Sequence, residues 1–326
     1  MSSIVTQIIR SDKVESYHTA MGVVSDAQGK VIRSYGNPHH ETYVRSSAKP
    51  LQAMAVIRSG AYEAFGLNEE ELAVICSSHS GEPVHTEAVR SIHRKAGLHE
   101  DMLACGYHPP IDKQSARKLQ VAGMEPAQIH NNCSGKHSGM LCTCKWRGES
   151  TENYLDPSHP TQTFIQDIVS EYTGEAEIHR GVDGCSAPVF YLPLSNLAKS
   201  FAQITLQETD ESKQVFHAMT TQPYLVGGNQ RFDTMLMESY PGRVMSKGGA
   251  EAVSAAGFLL PNGKVYGLAV KVVDGNYRVI GQMVLSILRD MGFMGEEVPE
   301  GLHHWWAPRM RNHAGIVVGT METIID

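Results

Sequence analysis

Apolar and polar positions alternate along residues 5–9 and 19–24, which predicts two strands. After the turn residues Asp26-Ala27-Gln28-Gly29, the run Lys30-Val31-Ile32-Arg33-Ser34-Tyr35 alternates again, like the returning arm of a hairpin. Glu15, Ser16 and His18 fall between the first two strands, on an expected loop from which side chains can reach a site. The pattern then changes. Leu51-Gln52-Ala53-Met54-Ala55-Val56-Ile57 is apolar enough for a buried helix, and Asn68-Glu69-Glu70-Glu71 places a cap and acids at the start of another. Residues 83–96 read as an amphipathic helix carrying His85, and residues 163–172, 194–202 and 211–220 as further helices. Strand patterning returns at residues 246–251, 253–259 and 265–273, the last two joined by the turn Pro261-Asn262-Gly263. A helix over 276–291 and a strand over 315–319 close the chain. Strands, then helices, then strands predict an α+β fold: one domain over 1–326, with an antiparallel sheet built from both chain ends and a helical lobe, residues 60–240, inserted between them.

Composition narrows the functional classes. The chain has 326 residues, 41% hydrophobic and 19% charged, with a formal net charge of -7 and no basic run. That balance argues against binding nucleic acid or an anionic membrane. No apolar run approaches the roughly 20 residues that span a bilayer. Met1 to Arg10 lacks a charged leader followed by an apolar core, so the expected location is cytoplasmic. In that compartment Cys76, Cys105, Cys133, Cys142, Cys144 and Cys185 read as thiols or metal ligands, not disulfides.

Five blocks carry candidate chemistry. In Arg45-Ser46-Ser47-Ala48-Lys49-Pro50, Ser46 and Lys49 are three residues apart, hence on one face of a helix that begins there. A partly desolvated lysine can take the proton of a serine hydroxyl, although the same spacing also fits an N-capping serine beside a solvated lysine. Ser-x-x-Lys is the signature of serine β-lactamases and penicillin-binding proteins. Ser78, His79 and Glu82 lie in a dense polar block between two apolar segments, expected to face a cavity or to form an ordinary turn. In residues 131–140, Gly135 and Gly139 permit close backbone approach, while Cys133, Lys136 and His137 offer a thiolate, an amine and an imidazole. Asp183 and Cys185 sit in a Gly-flanked turn, and two thiols from separate turns either share a zinc ion or are buried and inert. Cys142 and Cys144 read as structural. Lys247-Gly248-Gly249 lies where a β-lactamase would carry Lys-[ST]-Gly, with Gly248 in place of the hydroxyl residue. Lys271 is the other candidate for an inward-pointing lysine.

In their order, Arg45–Pro50, Ser78–Glu82, Asn132–His137, Val182–Cys185 and Lys247–Glu251 resemble the rhizobial-type L-asparaginases, the asparaginase II family, with further agreement at Tyr154–Pro160 and Asp274-Gly275. The resemblance spans nearly the whole chain. It implies a fold similar to serine β-lactamases and penicillin-binding proteins, a homodimer, and release of ammonia from L-asparagine. Carried over by motif, Ser46 pairs with Lys49, and Ser78 pairs with Lys247, Lys271 being held in reserve. The resemblance also implies zinc at Cys133, Lys136 and Cys185, with Asp183 beside it. Charge complementarity assigns the substrate α-carboxylate to Arg45 or His137 and its α-amino group to Asp183 or Glu82, with His79 nearby. Two other readings compete: a penicillin-recognising acyl-serine enzyme, and a catalytically silent amino-acid- or metal-binding relative.

Overall fold

A computed structural model describes residues 3–326. Its strands are β1 (Ile4–Arg10), β2 (Lys13–Ser25), β3 (Val31–Tyr35), β4 (Glu41–Tyr43), β5 (His179–Val182), β6 (Pro188–Pro193), β7 (Val244–Gly249), β8 (Val253–Leu259), β9 (Val265–Val272), β10 (Arg309–Arg311) and β11 (Val317–Ile325). The chain divides into two units. One comprises Met1–Ser47, Leu192–Leu206 and Met235–Asp326, the other Ala48–Tyr191 and Gln207–Thr234.

The first unit is a sheet in the order β10-β11-β1-β2-β9-β8-β7, with β3 paired to β2 and every one of these pairings antiparallel. Both chain ends supply its strands, as the patterning predicts. Glycines let helices close on it. A Cβ on Gly267 would lie 1.7 Å from Ala198 O, and one on Gly257 1.9 Å from Thr205 Oγ1, so the helix Leu194–Leu206 rests directly on backbone. Gly22 faces the opposite side of the sheet, where its Cβ would meet Ile287 of the helix Ile280–Asp290 at 2.9 Å. Because Leu194–Leu206 belongs to the sheet, the helical unit is interrupted there and does not run continuously over the expected 60–240.

Two strands differ from expectation. Glu15, Ser16 and His18 are not on a loop: β2 starts at Lys13, and Ile8 pairs with Ser16 and Gln7 with Tyr17. The polar, largely exposed start of β2 hides it from an alternation test. His18 is buried, its ring between Asp274 Oδ2 at 2.6 Å and Arg278 Nη2 at 2.7 Å. The last strand continues to Ile325, since β1 pairs with it along its whole length.

The second unit is helical. Asn68 caps the helix Glu69–Ile75 by a reciprocal pair of bonds, Glu71 N–H to Asn68 Oδ1 at 3.0 Å and Asn68 N–H to Glu71 Oε2 at 2.8 Å. A Cβ on Gly135 would lie 2.0 Å from Val74 O, and one on Gly139 2.7 Å from Ile75 Cγ2. The helix Ser134–Arg147 therefore packs on the end of Glu69–Ile75 as no other residues would allow. That contact brings residues 132–137 to Ser77 and Ser78.

Candidate active site

In the sheet unit, the chain leaves β4 and enters a 3₁₀ turn over Arg45–Ala48. Arg45 has φ 48°, a left-handed conformation costing a non-glycine residue about 1 kcal/mol. Ser47 locks the turn, its Oγ donating to Val44 O at 2.5 Å and its N–H to the same oxygen at 3.1 Å. Ser47 is buried, whereas Ser46 and Arg45 are half-exposed. Strand β7 passes directly against this turn: a Cβ on Gly249 would lie 2.9 Å from Val44 O, 3.0 Å from Ser47 N and 3.1 Å from Ser46 N. Lys247, two residues earlier on the same strand face, is 1% exposed and donates to Gly248 O at 2.7 Å. An ordinary exposed edge-strand lysine is excluded at this position. Lys271 lies on β9, half-buried, donating to Glu251 O, with burial lowering its pKa.

In the helical unit, Lys49 opens the helix Lys49–Arg58, which is buried from Lys49 to Ile57. Lys49 Nζ donates to Ser77 O at 2.6 Å, Ser78 Oγ at 3.0 Å and Asn132 O at 3.2 Å. Three N–H groups thus meet three oxygens, the full donor capacity of an ammonium. The hydroxyl that Lys49 holds is that of Ser78, where spacing alone pointed to Ser46. Ser78 is itself fixed by its N–H bond to Val226 O at 3.0 Å.

Beside Lys49 stand the two thiols. Cys133 precedes the helix Ser134–Arg147, its N–H held by Asn131 Oδ1 at 2.8 Å, and Lys136 and His137 occupy the first turn. Cys185 lies at the tip of the β5–β6 hairpin, in a turn closed by Ser186 N–H to Asp183 O at 2.9 Å, with Ser186 at φ 68°. Lys136 Nζ donates to Cys185 Sγ at 3.0 Å, and Cys185 Sγ lies 3.7 Å from Asp183 Oδ2. A hydrogen bond from Cys185 holds the Cys133 thiol well below its usual range, against burial and with help from the charges of Lys49 and Lys136. The same bond, then burial, pushes Cys185 up. Burial pulls the Lys136 ammonium down, but Cys185, Cys133 and Asp183 outweigh it and leave Lys136 above its usual value. Cys142 and Cys144 have no such company, and burial raises them to about 12 and about 11.

The remaining predicted residues have definite partners. His79 Nδ1 accepts from Gly81 N–H at 3.1 Å and its Nε2 donates to Ser134 Oγ at 2.9 Å, so the ring is neutral and shapes its own loop. Burial drives His79 well below the ordinary histidine range. Glu82 accepts from Tyr224 Oη at 2.6 Å and Asn229 N–H at 3.1 Å, which ties its carboxylate to the 224–229 segment. His137 is fully buried and bonds through Nδ1 to Tyr154 Oη at 2.7 Å. Tyr154, Asn132 and Ser134 lie in the same stretches of sequence, but nothing in their spacing signals the contacts they make with His137, Lys49 and His79. A second group with ligand-type atoms, Cys144, Glu149 and His159, lies within 4.8 Å. Thr161 already joins all three, its hydroxyl to Cys144 and Glu149 and its N–H to His159 Nδ1, which makes the group a helix cap.

The family model of L-asparaginase II matches residues 6–323, nearly the whole chain. The chain belongs to the L-asparaginase II family. It is accordingly an amidohydrolase. No curated protein matches the sequence. Among solved structures it is similar to a Bacillus glutaminase determined in 4.3 M NaCl, at 10% identity and a TM-score of 0.39, over 83% of this chain and 90% of that one. It is also similar to Mglu in its native form, at 11% identity and a TM-score of 0.38, over 87% of this chain and 67% of that one. Among the described residues, no helix of this asparaginase II family member is long and apolar enough to cross a membrane.

Proposed function

We propose that the protein hydrolyses the side-chain amide of L-asparagine to L-aspartate and ammonia, through a serine nucleophile served by buried lysine. The observation that carries this reading is the 3.0 Å bond between Lys49 Nζ and Ser78 Oγ, made where the two residues are 1% and 5% exposed. Ser46, half-exposed on its strained turn, attacks the amide carbon, and its proton passes to Lys49, three residues on, as Lys49 hands one of its own three protons to the Ser78 hydroxyl. Ser78 takes a proton from Lys49 and gives its own to the leaving nitrogen. The C–N bond breaks, ammonia departs, and water hydrolyses the serine ester. Backbone N–H groups at the start of Lys49–Arg58 are assigned to the oxyanion. Lys247, beside the Ser46 turn, adds positive charge for the same intermediate, and Lys271 stays in reserve. Arg45 is assigned to the α-carboxylate and Asp183 to the α-amino group by charge.

Zinc is proposed at Cys133, Lys136 and Cys185. The donor chemistry fits once the metal displaces the proton that Cys185, Cys133 and Asp183 hold on Lys136: two buried thiols, one already depressed, and a lysine nitrogen 3.0 Å from sulfur. Bound there, the ion would polarise or orient an oxygen of the substrate. The working form is proposed to be a homodimer, which sedimentation equilibrium checks. The function is tested by ammonia release from L-asparagine with wild type, Ser46→Ala and Ser78→Ala. Activity lost in Ser46→Ala supports the scheme. Full activity in that variant moves the nucleophile to Ser78, and an inactive zinc-supplied wild type sinks the asparaginase reading.

A further inference from the structure

His137 presents one ring nitrogen that the protein leaves unused, and the directions of its neighbours' hydrogen bonds say which form it takes. Ala104 N–H donates to Tyr154 Oη at 2.9 Å, and that oxygen lies 2.7 Å from His137 Nδ1. Tyr154 is 1% exposed, and among the described residues its hydroxyl proton has no acceptor other than Nδ1. A buried hydroxyl that failed to donate would cost free energy, so Tyr154 donates and Nδ1 accepts. The imidazole proton is then on Nε2. That atom is buried and makes no hydrogen bond within the protein. A buried N–H without a partner is rare enough to require an explanation.

We infer that His137 Nε2–H is a donor for an oxygen of the substrate, carboxylate or carbonyl, and that Tyr154 is the residue that positions it. The assignment rests on the amidohydrolase reading above. It also excludes a role. An N–H donor cannot accept from the α-ammonium group, so that group must find its partner elsewhere. Tyr154 holds the ring from behind in two ways, through the bond to Nδ1 and through an edge contact at 84° with ring centroids 5.6 Å apart.

The first test is ammonia release by the wild type, which decides the function independently. With an active enzyme, nitrogen-15 spectra of labelled histidine are expected to show His137 Nδ1 bare and Nε2 protonated, with the Nε2 signal moving when the product L-aspartate is added. A proton on Nδ1, or an Nε2 signal that ignores saturating aspartate, overturns the inference. Tyr154→Phe keeps the ring and removes the relay. It is expected to lower kcat/KM for asparagine by roughly tenfold, a typical cost of one misplaced hydrogen bond. A change in KM with kcat preserved assigns the acceptor as the carboxylate, and a loss in kcat assigns it as the reacting carbonyl. His137→Gln, which retains an N–H donor, should recover activity relative to His137→Ala. Tyr154→Phe within twofold of wild type, or Gln no better than Ala at 137, removes the proposed role. Should Tyr154→Phe fail to fold, the wild-type spectra still decide.

Discussion

Lys49 and Lys136 are both buried, at 1% and 3% exposure, and both lie in the first turn of a helix, yet their surroundings differ in kind. Lys49 gives its three hydrogen bonds to uncharged oxygens, two carbonyls and the Ser78 hydroxyl. Lys136 gives its bond to sulfur and stands in the field of Cys133, Cys185 and Asp183, which hold it charged. The first arrangement serves a hydroxyl. The second compensates a thiolate or, in the proposed holoenzyme, shares a metal with it. Cys133 joins the two regions, because both ammonium groups help to depress its thiol. The contrast shows that burial alone says little about a lysine. What surrounds the nitrogen separates the two roles.

The sharpest way to break this distinction is to replace each lysine by methionine. Lys49→Met is expected to lower kcat on asparagine by about a thousandfold, the scale of losing a positioned acid–base group, while keeping its metal. Lys136→Met should lose metal first. Equal effects on turnover and metal content from both variants would erase the comparison. Chelation comes next. A ligand at a hundred times its Kd stabilises by about 2.7 kcal/mol, so for a chain of 326 residues a chelator should lower the melting temperature of the zinc-loaded wild type by roughly 4 °C. Scanning calorimetry should find almost no such drop in Lys136→Met.

Gly249→Ala tests the turn that carries Ser46. The added Cβ would press on backbone at 2.9–3.1 Å, an overpacking cost of about 1–3 kcal/mol, and activity should fall with stability. Gly295→Ala, with nothing within 4 Å, is the control expected to change neither. A smaller effect is expected from pH. Burial lowers His79, His85, His93 and His137 below the usual histidine value of 6.5. Between the lowered folded value and the unfolded one, the unfolded chain binds more protons, so stability rises with pH there. Their contribution is complete above about pH 6.5 and is lost as pH falls toward the folded values. Denaturant midpoints that stay level from pH 7.5 to 5 would contradict this.

Much of the fold could be read from local pattern. The capping box at Asn68, the buried helix after Lys49 and the strands after residue 244 each follow from residues within a few positions of one another. The start of β2 could not, because Lys13 to Tyr17 are mostly exposed and only their pairing with β1 makes them a strand. The candidate site divides the same way. Ser46, Lys49, Ser78, Cys133, Lys136 and Cys185 were all identifiable as residues with chemistry to offer. Their partners were not. Lys49 reaches Ser78 across 29 positions, and Lys136 reaches Cys185 across 49.

By itself the sequence determined the order of strands and helices, the glycines that admit close packing and the inventory of nucleophiles, amines and thiols. These depend on side-chain periodicity and backbone freedom, which are properties of short segments. Only the tertiary structure decided that Lys49 holds Ser78, that Gly249 lies against the Ser46 turn, and that Tyr154 turns the His137 donor toward a partner the protein does not provide. The reason is reach. A hydrogen bond forms or fails within a few tenths of an ångström, and for residues far apart in sequence that separation is set by how whole helices and strands pack.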